Sequence, residues 1–167
     1  MEFKVVGKRV KRYDGMAHVT GETRFVDDVI VPRTLTVKAF RSPVSKGKIK
    51  SLDVSAAKKL SGVAGVITAE DVPCNAYGII PDQPVLVTED IRYKGEPLAA
   101  VAAIDEDTAL EAVSKIKADI EAQEPVFEPL EAMKPDAPKV RPEGNVFHFG
   151  DRPFRQIVLG DIEAGFK

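Results

Sequence analysis

The sequence predicts an α+β fold, a mixed sheet fed by two short strand-helix-strand units and followed by an extended Pro-rich C-terminal arm. Three observations lead there. Two stretches, residues 48–68 and 91–122, each pass from a strand-like pattern through a short helical one and back to a strand. The apolar run "LAAVAAI" lies within the second stretch and has the continuous hydrophobicity of a strand buried on both faces. Five of the twelve prolines then fall between residues 125 and 142.

The elements follow in order. In "LTVKAFRS", Leu35, Val37 and Ala39 alternate with Thr36, Lys38 and Phe40, the period of a half-buried strand, and Pro32 and Pro43 punctuate its ends. "KIKSLDV" is a second strand with imperfect alternation. Ser55 then offers an N-cap to the helix formers of "SAAKKLSG", and Gly62 stands just past the last turn. "VAGVIT" returns as a strand, and Pro73 keeps "AEDVP" from growing into a helix. "CNAYGIIPDQPVLVTED" reads as an ordered loop, in which Ile79 and Ile80 either face a partner or cover the sheet beneath. After the short strand "IRY" and the turn "KGEP" comes the central strand. Asp105 or Asp107 caps the next helix, whose apolar side carries Ala109, Ala112 and Val113. In "IKADIEA" the period changes to two, the mark of a strand buried on one face. The proline-rich arm allows one helical turn at "PLEAM". Alternation resumes at Ile157 and Leu159, and "DIEAGF" starts a helix that reads as cut short.

Composition restricts function. A chain of 167 residues, 44% hydrophobic and 30% charged, is expected to form one compact domain, or one with a tail. It shows neither a secretion-signal core nor an apolar run of the roughly 20 residues that span a bilayer, so a cytoplasmic location is expected. Net charge is −2 with the basic residues dispersed, which argues against nucleic acid as a partner. The single Cys74 cannot form an internal disulfide or hold a zinc ion or iron–sulfur cluster alone, and it reads as an inert loop thiol.

Familiar catalytic patterns are missing. A dinucleotide site places Gly-x-Gly-x-x-Gly after a strand so that backbone amides approach the pyrophosphate; after "LAAVAAI" stands "DEDTAL", whose acids repel phosphate. There is no Gly-x-x-x-x-Gly-Lys loop and no nucleophile elbow. His18 and His148 lack ligand-spaced neighbours, and His148, between two phenylalanines, is read as a packing residue. The paired acids at Asp27 and Asp28, in "EDV" and in "DED" are read as caps and solvated turns rather than general acids or bases. No catalytic, cofactor-binding or metal-ligating residue is assigned.

The order of short motifs says more. "RYDGMAHVTGETRFVDDVIVPRTL", "FRSPVSKGKIKSLDVSAAKKLSGVAGVITAEDVP", "IRYKGEPLAAVAA" and "GDIEAGF" resemble, in this order and across nearly the whole chain, motifs of the large, molybdenum-binding subunit of the xanthine dehydrogenase and aldehyde oxidase family. The chain departs from the family where "SPVSKGKI" lacks a His-Ala-His after Ser-Pro and where "EAQEPVF" lacks Tyr-Glu-x-Leu-Pro.

The resemblance implies an α/β-hammerhead domain at residues 1–124, a linker arm at 125–150 and, at 151–167, the truncated start of the following molybdopterin-binding domain. It implies a role within an enzyme that hydroxylates aldehydes or nitrogen heterocycles with oxygen from water. Molybdopterin would sit in the full subunit, with 2Fe-2S clusters and FAD in partner domains or subunits. The family's catalytic glutamate and cofactor loops lie downstream, so this stretch is expected to be inactive by itself. The implied partners are the rest of the molybdenum subunit, the iron–sulfur and FAD components and a small-molecule substrate, with no membrane. Tyr77, Gly78, Ile79 and Ile80 match the loop that lines the substrate channel. The alternative from another class is a free-standing adaptor that binds a protein through Ile79 and Ile80 without chemistry.

Overall fold

The apolar run singled out in the sequence is the middle strand of its sheet. The computed structural model describes residues 3–29, 31–78, 81–150, 152–153, 157 and 159–167. They fall into two units, Met1–Thr34 and Leu35–Lys167.

In the first unit a short helix, α1 (Gly15–Thr20), stops at Gly21, whose φ of 77° is the left-handed conformation that glycine adopts without a Cβ clash. Arg12 donates to Asp14 (Nη2 to Oδ2, 2.9 Å) and holds its carboxyl below the usual carboxylate range. His18 Nε2 lies 3.2 Å from the same oxygen. A single 3-10 turn, Val26–Asp28, follows, and the Asp28 carboxylate accepts from the Phe25 amide at 2.9 Å. That acid is therefore a cap, as expected.

The second unit contains, in chain order, β1 (Thr36–Arg41), β2 (Gly47–Asp53), α2 (Ser55–Lys58), β3 (Val63–Thr68), β4 (Asp90–Ile91), β5 (Pro97–Ala103), α3 (Glu106–Lys115), β6 (Lys117–Ala122) and α4 (Pro129–Ala132). A two-residue pair, β7 (His148–Phe149) with β8 (Arg152–Pro153), and α5 (Ile162–Gly165) come last. Among the described residues the larger strands form two antiparallel sheets, ordered β1-β5-β3 and β4-β2-β6. Both strand-helix-strand units are present, but each carries the chain from one sheet to the other: β2 and β3 part company across α2, as do β5 and β6 across α3. Periodicity marks a strand without naming its partner, so the expected mixed sheet resolves into two antiparallel ones.

β5 lies between β1 and β3, and Leu98, Ala99, Val101 and Ala103 are fully buried. One core cluster joins Val66, Ala99 and Val101 to Ala57 of α2 and Ala112 of α3. Small side chains at these helix positions let the helices settle close to the sheet, while Leu60, Val63 and Val113 fill the margins. A second cluster, Val87, Ile91 and Leu98, packs with Ile49, Leu52 and Ile120. Phe40 and Leu52 reach both clusters. The alternation of β1 left two candidate faces, and the structure turns the Phe40 face inward while Val37 stays 61% exposed. One aromatic ring buries more area than the aliphatics opposite it. The imperfect alternation of β2 has a cause too, a register shift against β6 between Ile49 and Ser51.

One cap differs from expectation and the other is one of the two residues expected. Ser55 is the first residue of α2, Val54 stands at the N-cap position without a side-chain cap bond, and Asp53 just before it accepts from the Ser55 amide at 2.9 Å. Of the two candidates for α3, Asp105 is the cap, accepting from the Thr108 amide at 2.8 Å. Within the arm, α4 is the helical turn expected at "PLEAM". Asn145 gathers the arm around itself, accepting from the Val140 amide at 2.7 Å and donating to the Ala132 and Pro138 carbonyls at 3.0 and 3.1 Å. Asp161 caps α5, accepting from the Ala164 amide at 3.0 Å. Ile157 and Leu159 are both exposed. His148, read as a packing residue, is also exposed.

Candidate functional site

The loop between β3 and β4 is built on a short-range polar frame. Thr68 ends β3 and donates through its amide and hydroxyl to the Asp71 carboxylate, at 2.8 and 3.2 Å. These bonds hold the Asp71 carboxyl below its ordinary range and fix a 3-10 turn, Ala69–Asp71, at the loop's entrance. Asn75 then closes the neck. Its Nδ2 donates to the Leu86 carbonyl at 2.7 Å and to Thr88 Oγ1 at 3.3 Å, and its Oδ1 accepts from the Leu86 amide at 2.9 Å. Leu86 is 4% exposed, so without these bonds its backbone would be short of partners away from water.

Two residues further out, the Tyr77 amide donates to the Gln83 carbonyl at 2.9 Å, with the reverse bond at 3.4 Å. Beyond this isolated antiparallel bridge, Gly78, Pro81 and Asp82 are the described residues of the loop's tip. Of the four residues expected to line a channel, Tyr77 is 55% exposed and Gly78 is exposed with φ of 108°, a conformation that side chains disfavour. Ile79 and Ile80 lie outside the described residues. The Cys74 thiol is exposed and approaches the Ala76 carbonyl at 3.7 Å.

A second frame supports the tip from below. Glu96, only 3% exposed, accepts the Arg92 amide at 2.6 Å through Oε2. Arg92 Nη1 in turn donates to the Asp82 carbonyl at 2.7 Å. The Asp82 carboxylate forms an ion pair with Arg141 of the arm, and the Arg141 guanidinium lies 5.5 Å from the Phe147 ring centroid, over its face. A cavity of about 530 Å³ opens beside this pair, lined by Asp82, Arg141, Glu143, Asn145, Phe147 and His148.

The same frame joins two of the motifs that carried the resemblance. Ser42 of "FRSP" donates its amide to the Glu96 carbonyl and accepts from the Gly95 amide through its own carbonyl, both at 2.9 Å. Arg41 Nη1 donates to the Gly95 carbonyl at 2.9 Å. Residues 41–42 and 95–96 thus form one hydrogen-bonded knot at the entry to β5. Sequence reasoning found the loop but missed Asn75, Arg92, Glu96 and Arg141. The available signal was a Glu between Gly and Pro at the head of a buried strand, where a carboxylate is unusual unless it is bonded.

The arrangement positions a loop and shapes a surface; among the described residues the hydrogen bonds of its Ser, Thr and Cys side chains run to backbone groups, Asn75 and the capping Asp71. The acids weighed as general acids or bases act as caps at Asp28, Asp71 and Asp105. Among the described residues no group of three or more His, Cys, Asp or Glu side chains is placed to hold a metal ion. One thiol by itself does not supply the several thiolates of an iron–sulfur centre. No described helix is long and apolar enough to cross a membrane.

Comparison with known proteins places this geometry. Residues 20–124 match the model of the "aldehyde oxidase and xanthine dehydrogenase, a/b hammerhead domain" family. The chain is 39% identical over 158 residues to a probable xanthine dehydrogenase subunit from Bacillus subtilis, an alignment covering 93% of this chain and 20% of that protein. It is 32% identical to the nicotinate dehydrogenase large molybdopterin subunit of Eubacterium barkeri, covering 99% of this chain and 38% of that one. The crystal structure of the aldehyde oxidoreductase from Desulfovibrio desulfuricans superposes with a TM-score of 0.78 at 31% identity, over 86% of this chain and 18% of that chain. The chain therefore spans only a fraction of the proteins it matches. With most of its length accounted for by that domain, the chain belongs to the aldehyde oxidase and xanthine dehydrogenase family.

Proposed function

We propose that this chain is the hammerhead portion of a molybdenum hydroxylase that inserts water-derived oxygen into an aldehyde or nitrogen heterocycle. In this reading residues 1–124 are the hammerhead domain, 125–150 a linker arm and 151–167 the start of the next domain. The chain's own contribution is to wall the substrate channel with the tip of the β3–β4 loop, Tyr77 and Gly78 together with Ile79 and Ile80. The observation that carries this is the double closure of the loop: the Asn75 side chain and the Tyr77–Gln83 bridge hold a tip that still leaves Tyr77 exposed. A wall held by bonds at its base resists collapse, and an apolar tip excludes water from a bound flat substrate.

Molybdopterin is proposed to belong to the rest of the subunit, with 2Fe-2S and FAD components as partners and a cytoplasmic setting. The hydroxylation itself is assigned to those parts, and the chain alone is expected to be inactive. The test is reconstitution. The chain is mixed with the remainder of a molybdenum subunit, and aldehyde and purine oxidation are followed with a dye acceptor. Activity that appears only on mixing supports the reading. Failure of the two parts to associate would favour the free-standing adaptor instead.

A further inference from the structure

A second hollow, about 270 Å³, opens between the turns of residues 43–46 and 92–95 and the first residues of the arm. Lys46, Arg92 and Lys94 line it, together with the apolar surfaces of Tyr93, Val126 and Phe127, and no Asp or Glu is among its lining residues. Pro125, Val126 and Phe127 also wall a cavity lined by Glu124, Glu128, Glu131 and Asp136, with Lys134 its one lining cation. Three consecutive residues thus line both a cationic hollow and an acidic one, in a chain of net charge −2.

The cations stand where the fold requires them. Lys46 receives the Gln123 amide on its carbonyl at 3.0 Å, which fixes the turn against the start of the arm. Arg92 is held by its amide to Glu96 and by Nη1 to the Asp82 carbonyl, which leaves further guanidinium N–H groups to donate elsewhere. Among the described residues, Lys46 and Lys94 have no carboxylate within ion-pair distance. Three cationic residues line the hollow with no Asp or Glu among its lining residues, a balance of charge that favours an anion there. The apolar walls add a preference for an anion with a hydrophobic body.

We infer that this hollow binds a small organic carboxylate with a flat apolar body, its head group among Lys46, Arg92 and Lys94 and its body against Tyr93 and Phe127. The hollow shares Arg92 with the frame beneath the β3–β4 loop, but the inference does not depend on the hydroxylase reading. Benzoate titrated into the full chain and followed by amide chemical shifts should saturate, with shifts centred on residues 45–46, 92–94 and 126–127. Benzamide, equal in shape but neutral, should bind about tenfold more weakly, the loss of a charge-assisted contact. The double variant K46Q/K94Q should weaken benzoate by a similar factor, and F127A should weaken benzoate while leaving inorganic phosphate unaffected. Equal binding of benzamide, undiminished benzoate binding by a folded K46Q/K94Q protein, or phosphate binding as tightly as benzoate would each overturn the assignment.

Discussion

The buried Glu96 carboxylate accepts the Arg92 amide at 2.6 Å, and through Arg92 this one bond is linked to the Asp82 carbonyl at the edge of the exposed loop tip. This side chain, 3% exposed at the head of the central strand, satisfies a backbone donor. Replacing Glu96 by Ala should cost about 1–3 kcal/mol, the desolvation penalty of a buried donor left without a partner. Glu96→Gln keeps an acceptor oxygen and should cost less. Chemical denaturation of both variants checks the order, and equal losses would show that the carboxylate acts through packing rather than through its hydrogen bond.

Asn75 should behave as a clasp. Asn75→Ala strips the buried Leu86 amide and carbonyl of their partners, at a cost of about 1–3 kcal/mol. Amide exchange is expected to accelerate at Leu86 and at the Tyr77–Gln83 bridge more than in β5. Uniform acceleration across the sheet would instead mark global destabilisation with no special hold on the loop.

Gly47 is a packing constraint on the second sheet. A Cβ built there would lie 2.7 Å from the Glu121 carbonyl oxygen of the neighbouring strand and 3.1 Å from the Ile120 side chain. Because the close neighbour is backbone, β6 must shift. Gly47→Ala is therefore expected to destabilise by about 1–3 kcal/mol, as overpacking does. Thermal unfolding measures it, and a neutral or stabilised variant would show that the two strands separate freely.

Acid should loosen the caps. Hydrogen bonds from the Thr108 backbone and side chain hold the Asp105 carboxyl below its ordinary value, and the Thr68 backbone and side chain do the same for Asp71. A carboxyl with a lowered folded-state pKa contributes stability that is complete above its unfolded value, near 3.8 here, and is lost as pH falls through the folded value. Unfolding free energy should thus fall with acidification below about pH 5, where the unfolded chain begins to take up more protons. Asp105→Asn should flatten part of that slope while leaving the curve above pH 6 parallel to the parent's. An unchanged slope would mean that Asp105 is bonded equally in the unfolded chain.

Several parts of the fold are determined locally and were legible in the sequence. The apolar run of β5, the alternation of β6, the Asp105 cap and the helical turn at Pro129 each depend on neighbours within a few positions. The order of motifs also carried the family, and the loop at Tyr77 and Gly78 could be singled out from it. What the sequence could not supply was partnership. Whether β2 and β3 share a sheet, which face of β1 turns inward and where the Pro-rich arm lies depend on contacts between residues far apart in the chain. Periodicity holds no record of those contacts. The polar frame behind the loop belongs to the same class: Glu96, Arg92, Asp82 and Arg141 are ordinary charges in sequence. They become a support because the sheets fold so that the "FRSP" and "KGEP" turns meet, where burial leaves hydrogen bonding as the way to satisfy each polar group.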